Sequence, residues 1–247
     1  MTEVSRELDE ALAAFAGRRP LLVASDYDGV LARLRDDPSA AVPEPGVAEA
    51  LARLAAVPGV TVALVSGRGV ADLQATSGLS GPFRWVGSHG EEFDGPLSGE
   101  LAERRDALAE RLAPLVAGVP GARLEIKPAS VAVHVRQVPD REAAATLLDH
   151  ARAAVDSSLT LKPGKDVLEV AVTDADKGTA LRRLVTELGA AAAMYLGDDV
   201  TDEDGFRALD PDGLTVKIGE GATDARYRVA DAAGALALLR RLGDLLV

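Results

Sequence analysis

Two acidic stretches in this 247-residue chain have the composition and spacing of reactive groups. Asp26-Tyr27-Asp28-Gly29 sets two carboxylates two residues apart at the end of a short apolar run, and the glycine lets the backbone come close to a ligand. Gly197-Asp198-Asp199-Val200-Thr201-Asp202-Glu203-Asp204 closes a second apolar run. Carboxylates gathered this densely repel one another unless a cation sits among them. Hard oxygen ligands suit Mg²⁺ as used in phosphate chemistry; calcium stays open, although no EF-hand spacing is present. Ser66, before Gly67 and Arg68, and Lys177, in Asp176-Lys177-Gly178, add a hydroxyl and an ammonium where helices begin, and both can hold phosphate oxygens. Each feature alone also has an ordinary explanation: an acidic turn, a helix N-cap, a solvated lysine.

Composition removes other chemistries. There is no cysteine, so disulfides, thiolate nucleophiles and cysteine-ligated metals are excluded. Lys+Arg of 27 against Asp+Glu of 39 gives a net charge of −12, which argues against a nucleic-acid partner. With 47% hydrophobic and 27% charged residues the chain reads as globular. No apolar window is long enough for a membrane span, and the charged first ten residues do not resemble a signal peptide, so a cytoplasmic protein without membrane contact is expected. No Walker-type glycine loop is present. With no coiled coil or leftover apolar stripe, a monomer is the default expectation.

The elements that must carry these residues follow from periodicity. Residues 5–15 read as an amphipathic helix and 20–26 as a buried strand running into the first acidic pair. A helix near 47–54, a strand at 60–65 ending at Ser66, a helix at 70–76 and a strand at 83–86 running into Gly87-Ser88-His89-Gly90 continue the alternation. Such βαβ succession implies an α/β fold with a parallel sheet, whose ligands bind at the carboxyl ends of the strands. The rhythm then breaks. Helices at 101–116 and 141–155, each followed by two β-like runs (123–127 and 131–136, then 159–162 and 167–172), predict an inserted αββαββ unit over 99–172. The βα order resumes at Asp176, with strands at 193–196 and 214–218 and a last helix at 235–246, so the core is expected over 1–98 and 173–247.

Asp-x-Asp-Gly, Ser66, Lys177 and Gly-Asp-Asp-x-x-Asp, taken in that order at four strand ends, resemble the haloacid dehalogenase superfamily of phosphohydrolases. The resemblance implies a Rossmannoid core with an inserted cap, Asp26 as nucleophile and Asp28 as general acid and base. It implies phosphate contacts from Gly29, Ser66, Gly67 and Lys177. It implies Mg²⁺ held by Asp26, Asp28, Asp198 and Asp199, with Asp202 behind them.

Further stretches are similar to the trehalose-6-phosphate phosphatase family. They are Ser66-Gly-Arg68, Gly87-Ser-His89-Gly90-x-Glu92, Lys127-x-x-Ser-Val-Ala-Val-His134-Val-Arg136, Lys162-Pro-Gly164-Lys165-x-Val-Leu-Glu169 and Gly219-x-Gly-x-Thr223-x-Ala225. This resemblance implies hydrolysis of a small sugar phosphate, trehalose 6-phosphate, to trehalose and phosphate. Arg68, His89, Gly90, Glu92, Lys127, His134, Arg136, Lys165 and Glu169 are then the expected substrate contacts. Each cap position has a plain alternative: exposed strand Lys and Arg, a structural His134, or a Glu169 paired with Lys165. The chain departs from the commonest family form at Ala24-Ser25 and at Val30, where threonine is usual; Val30 offers no hydroxyl, but the reacting groups are untouched. Another capped sugar-phosphate phosphatase, acting on sucrose phosphate or mannosyl-phosphoglycerate, and a silent sugar-phosphate sensor are the competing expectations.

Overall fold

A computed structural model describes residues 5–35 and 37–247. Residues 1–4, the start of the charged N-terminal stretch, lie outside the described residues. The chain divides into two compact units, Met1–Gly95 with Ala175–Val247, and Pro96–Asp174.

In chain order the first unit contains α1 (Arg6–Ala16), β1 (Leu21–Ser25), α2 (Val47–Ala55), β2 (Val60–Val65), α3 (Val70–Ser77), β3 (Arg84–Gly87) and β4 (Glu92–Phe93). The second contains α4 (Gly99–Ala117), β5 (Arg123–Ile126), β6 (Ser130–His134), α5 (Arg141–Ala153), β7 (Thr160–Gly164) and β8 (Val167–Ala171). The chain then returns to the first with α6 (Lys177–Leu188), β9 (Ala192–Gly197), α7 (Asp202–Leu209), β10 (Leu214–Ile218), β11 (Tyr227–Val229) and α8 (Ala232–Leu245).

The first unit is a seven-stranded sheet of order β11-β10-β9-β1-β2-β3-β4, parallel except for β4. All five residues of β1 are buried, as a strand covered on both faces requires. Its alternate side chains go to different layers: Leu21 and Val23 pack with α1, α2 and α8, whereas Leu22 and Ala24 pack with Leu181 and Leu184 of α6 and Phe206 of α7. Each such leucine contributes about 1.5–3 kcal/mol of burial. Ser25 pairs in register with both Leu64 and Leu196, so β1, β2 and β9 stop together and their following residues emerge side by side. Asp176 caps α6 through a reciprocal pair of bonds with Thr179, which starts that helix at Lys177.

The second unit is an antiparallel sheet of order β5-β6-β8-β7. Val131, Val133, Leu168 and Val170 face Leu108 and Leu112 of α4 and Leu147 of α5. The alternate positions carry Glu125, Ser130, His134 and Glu169 on the other face, in adjacent register.

The strand expected over 131–136 ends at His134, because Val138 N–H turns back to the Val135 carbonyl. Arg136 therefore stands in an exposed turn. The short strands β4 and β11 have too few residues to show a period in sequence, and α8 begins three residues earlier than expected, at the Asp231 cap. No helix among the described residues is long and apolar enough to cross a membrane.

Candidate active site

The carboxyl end of β1 delivers Asp26, 5% exposed, to Lys177 on the first turn of α6, 2% exposed. Lys177 Nζ donates to Asp26 Oδ2 at 2.8 Å and to Asp202 Oδ1 at 2.7 Å. Asp26 Oδ1 accepts the Tyr27 amide at 2.6 Å. Asp202 is wholly buried and takes four donors: Lys177, the Tyr195 hydroxyl at 2.5 Å, and the amides of Asp198 and Asp199 at 2.9 Å each. A carboxylate has about four lone-pair positions, so Asp202 is fully occupied by the protein itself.

Asp26, Asp198 and Asp202 bring carboxylate oxygens within 4.8 Å of one another. Three carboxylates against one ammonium leave an excess of negative charge in a dry place. Burial, reinforced by the neighbouring Asp202 charge, pushes Asp26 up to about 7 and Asp198 up to about 6. Burial opposes the charge on Lys177 too, but Asp26 and Asp202 outweigh it and hold the ammonium above its ordinary range. The cluster fits a hard cation: all its donors are oxygens, its charge is uncompensated, and Asp26 and Asp198 retain lone pairs that Asp202 does not. It could bind a metal. Asp199 is exposed and outside this group, with its carboxylate turned onto the Val200 amide.

Gly29 explains how Asp198 comes so near. Its φ is +76°, and a Cβ there would overlap the Asp198 carboxylate. The expectation that Gly29 holds phosphate has no free donor behind it, since its N–H is bonded to the Ala32 carbonyl at 2.7 Å.

Asp28 and Arg68 meet across the loops after β1 and β2. Arg68 grips Asp28 with two bonds, Nε to Oδ2 at 2.7 Å and Nη2 to Oδ1 at 2.9 Å, and also bonds Asp72 and the Pro38 carbonyl. Arg68 is thus committed to protein partners, chiefly Asp28. Ser66 is 1% exposed, and its Oγ accepts the Arg68 amide at 3.2 Å, leaving the O–H to donate. A cavity of about 760 Å³ is lined by Asp26, Asp28, Ser66, Arg68, Lys177 and Asp198 among others.

The loop after β3 divides in its effects. His89, at φ +59°, lines the cavity and lies against Gly67, where a Cβ would come within 2.6 Å of the imidazole. Gly90 is buried under the Asp176 carbonyl, 2.5 Å from where its Cβ would be, so it makes room for α6. Glu92 is 5% exposed and directs its carboxylate at the Val70 amide at the start of α3 and at the Ser88 hydroxyl. Neither Gly90 nor Glu92 reaches the cavity.

In the second unit, Lys127 Nζ donates to Glu169 Oε2 at 2.6 Å and Ser130 Oγ to Glu169 Oε1 at 2.7 Å. His134 Nε2 is 2.7 Å from Glu125 Oε2. Partial burial raises the Glu169 carboxyl, but these bonds prevail and hold it below the usual range. Glu169 pairs with Lys127, not with Lys165, which like Arg136 stands in an exposed turn.

Three residues near the site went unread in the sequence. Tyr195 sits inside an apolar run that gives its hydroxyl no sequence mark, and Glu203 is one more acid in an acidic run. Lys217 did carry a signal: a lone charge in the apolar strand Leu214–Ile218, every residue of which is buried.

The trehalose-phosphatase family pattern matches residues 24–233. A trehalose-6-phosphate phosphatase from Escherichia coli is 33% identical over 241 residues, covering 93% of this chain and 87% of that protein. A bifunctional trehalose-6-phosphate synthase/phosphatase from Thermoproteus tenax is 34% identical over 98% of this chain, which spans 34% of that longer protein. Among solved structures, an Aspergillus fumigatus trehalose-6-phosphate phosphatase superposes with a TM-score of 0.76 at 27% identity, covering 99% of both chains. A haloacid dehalogenase-like hydrolase from Bacteroides thetaiotaomicron shares the fold at 14% identity and a TM-score of 0.59, over 90% of this chain and 98% of that one. With the site at the expected strand ends and the match running through both units, the chain belongs to the trehalose-phosphatase family.

Proposed function

We propose that this chain hydrolyses trehalose 6-phosphate to trehalose and inorganic phosphate, as a Mg²⁺-dependent, cytoplasmic and monomeric enzyme. The observation that carries the reading is the buried Asp26–Lys177–Asp202 cluster opening on a cavity that Ser66 and Asp28 also line, in a chain of this family.

Asp26, backed by Lys177, attacks phosphorus through a carboxylate oxygen. The bond to the sugar oxygen breaks, and Asp28 donates the proton that the departing alcohol needs. Asp28, now ionised, takes a proton from water. That water attacks the phosphoryl group on Asp26, releasing phosphate and restoring the carboxylate. Lys177 and the Ser66 hydroxyl neutralise and hold the phosphoryl oxygens through transfer. Arg68 keeps Asp28 at the cavity wall through its paired bonds. Asp26, Asp198 and the Asp28 carbonyl would hold Mg²⁺; when bound it supplies positive charge for the phosphoryl oxygens.

We assign sugar recognition to the polar sheet face of the second unit. Lys127 with Glu169, and His134 with Glu125, offer charged donors and acceptors of the kind that read vicinal hydroxyls. Lys165 and Arg136, in turns bordering that sheet, add exposed cations.

The test is phosphate release from trehalose 6-phosphate with Mg²⁺, beside glucose 6-phosphate and sucrose 6-phosphate. Expected is selectivity for the first and a loss of at least about 10³-fold in Asp26→Asn. Release from the other sugars only would retain the mechanism and overturn the substrate, and tight binding without release would make the chain a sensor.

A further inference from the structure

The tail motif Gly219-x-Gly-x-Thr223-x-Ala225 and the lysine inside β10 have no part in the reaction above, yet the structure joins them to it. Lys217 is 5% exposed. Its Nζ donates to the backbone carbonyl of Asp198 and lies 3.9 Å from Glu203 Oε1. Glu203 Oε1 is buried without a hydrogen bond, while Oε2 accepts the Asp224 amide at 2.7 Å. Asp224 belongs to a loop that turns at Gly219 (φ +82°) and Gly221 (φ +105°), whose carbonyls both accept from Arg228. A connected path therefore runs from the tail loop through Glu203 and Lys217 to Asp198.

That path meets a second hold on the same residue. Asp202 Oδ2 accepts the Asp198 amide at 2.9 Å, so Asp198 is gripped through its N–H by a carboxylate and through its C=O by an ammonium. Bonds to charged partners are about twice as strong as neutral ones, and two of them on one residue fix the direction in which its side chain leaves the backbone. Packing alone does not account for the lysine. A buried ammonium is expensive, and its nearest carboxylate oxygen is beyond hydrogen-bonding distance, so methionine would fill the same space with less penalty.

We propose that Lys217 is a positioning residue for the cation: by holding the Asp198 main chain it presets the Asp198 carboxylate, and Glu203 with the tail loop keeps the lysine in place. The inference rests on the assignment of Asp198 to the cation.

Calorimetric titration of Mn²⁺ and Mg²⁺ into the metal-free full chain tests it without recourse to turnover. The double variant Lys217→Met with Glu203→Gln removes the pair at constant net charge. Its cation dissociation constant is expected to rise 10- to 100-fold, the usual effect of removing partners that orient metal ligands. At saturating Mg²⁺, kcat and KM for trehalose 6-phosphate stay within about 3-fold of the parent, and Lys217→Arg retains more affinity than the double variant. If the double variant does not fold, Lys217→Met alone decides. The negative charge it leaves on Glu203 favours cations, so weakened binding has to come from lost positioning, whereas unchanged or tighter binding overturns the proposal. Asp198→Asn separates two failures. Full affinity in Asp198→Asn overturns the assignment beneath the inference and the inference with it. Lost affinity there, with the double variant within about 2-fold of the parent, overturns the inference alone.

Discussion

The chain builds two clusters from the same ingredients, lysine and carboxylates, and drives their protonation in opposite directions. In the first unit Lys177 sits between Asp26 and Asp202 with almost no solvent, and burial lifts Asp26 and Asp198 toward neutrality. In the second, Lys127 and Ser130 meet a single Glu169 at a half-exposed surface, and the carboxyl is held down. The difference lies in how many charges each cluster leaves uncancelled. The second is balanced as it stands, suited to exchanging hydrogen bonds with hydroxyls. The first is one cation short, which is the property expected of a place where a metal and a phosphate meet.

Truncating the two lysines contrasts the clusters most sharply. Lys177→Met strands two buried carboxylates and is expected to destabilise the first unit by about 3–5 kcal/mol in urea unfolding, with loss of turnover. Lys127→Met should change stability by less than about 1 kcal/mol and raise KM for trehalose 6-phosphate by about 10-fold. Equal losses of stability would erase the distinction.

The next effect is a dependence of cation stabilisation on pH. Asp26 and Asp198 titrate near 7 and 6 when folded and near 3.8 when not, so the folded chain carries extra protons between those limits. Without metal, their contribution to stability falls as pH rises from about 4 to 7. A cation takes the place of those protons, so Mg²⁺ should raise the melting temperature more at pH 8 than at pH 5.5. Saturation at 100 times Kd is worth about 2.7 kcal/mol. An equal shift at both pH values, or a shift that survives Asp198→Asn, would break the account.

The smallest effect has the opposite sign. Glu169 titrates below its ordinary 4.5 in the folded chain, so its contribution is complete above that value and is lost as pH falls through the folded one. Glu169→Gln should lower the plateau above that value, the region between pH 6 and 8 included, by less than about 1 kcal/mol and flatten the acid limb, the two proteins converging at the acid end. A loss of the same size at acid and neutral pH would mean that the Glu169 charge contributes nothing to the second cluster.

Much of this was legible because buried parallel strands announce themselves as short apolar runs, and what matters comes at their ends. Asp26, Ser66 and Asp198 could be placed at the carboxyl ends of β1, β2 and β9 for that reason, and Lys177 at the start of α6 from its Asp176 cap. Pairings between residues far apart in sequence were not legible. Nothing in the chain says that Arg68 will take hold of Asp28, 40 residues away, or that Glu92 will close the start of α3. Valines alternate up to Arg136 as they do in a strand, but the chain turns back on itself there, with the Val138 amide donating to the Val135 carbonyl. Lys217 stayed unread because apolar periodicity records which faces are buried, not which buried atoms reach a carbonyl.

The absent side chain at position 29 also constrains how this sequence can change. Its first methyl group would claim space already filled by the Asp198 carboxylate, so every substitution there acts on a residue 169 positions away before it alters the turn itself. Gly95, where a Cβ would meet nothing within 4 Å, is open to drift. Within one unit, then, two glycines of identical composition differ in mutational freedom: one can be exchanged by a single base change without steric consequence, and the other ties the evolutionary fate of the first acidic loop to that of the second.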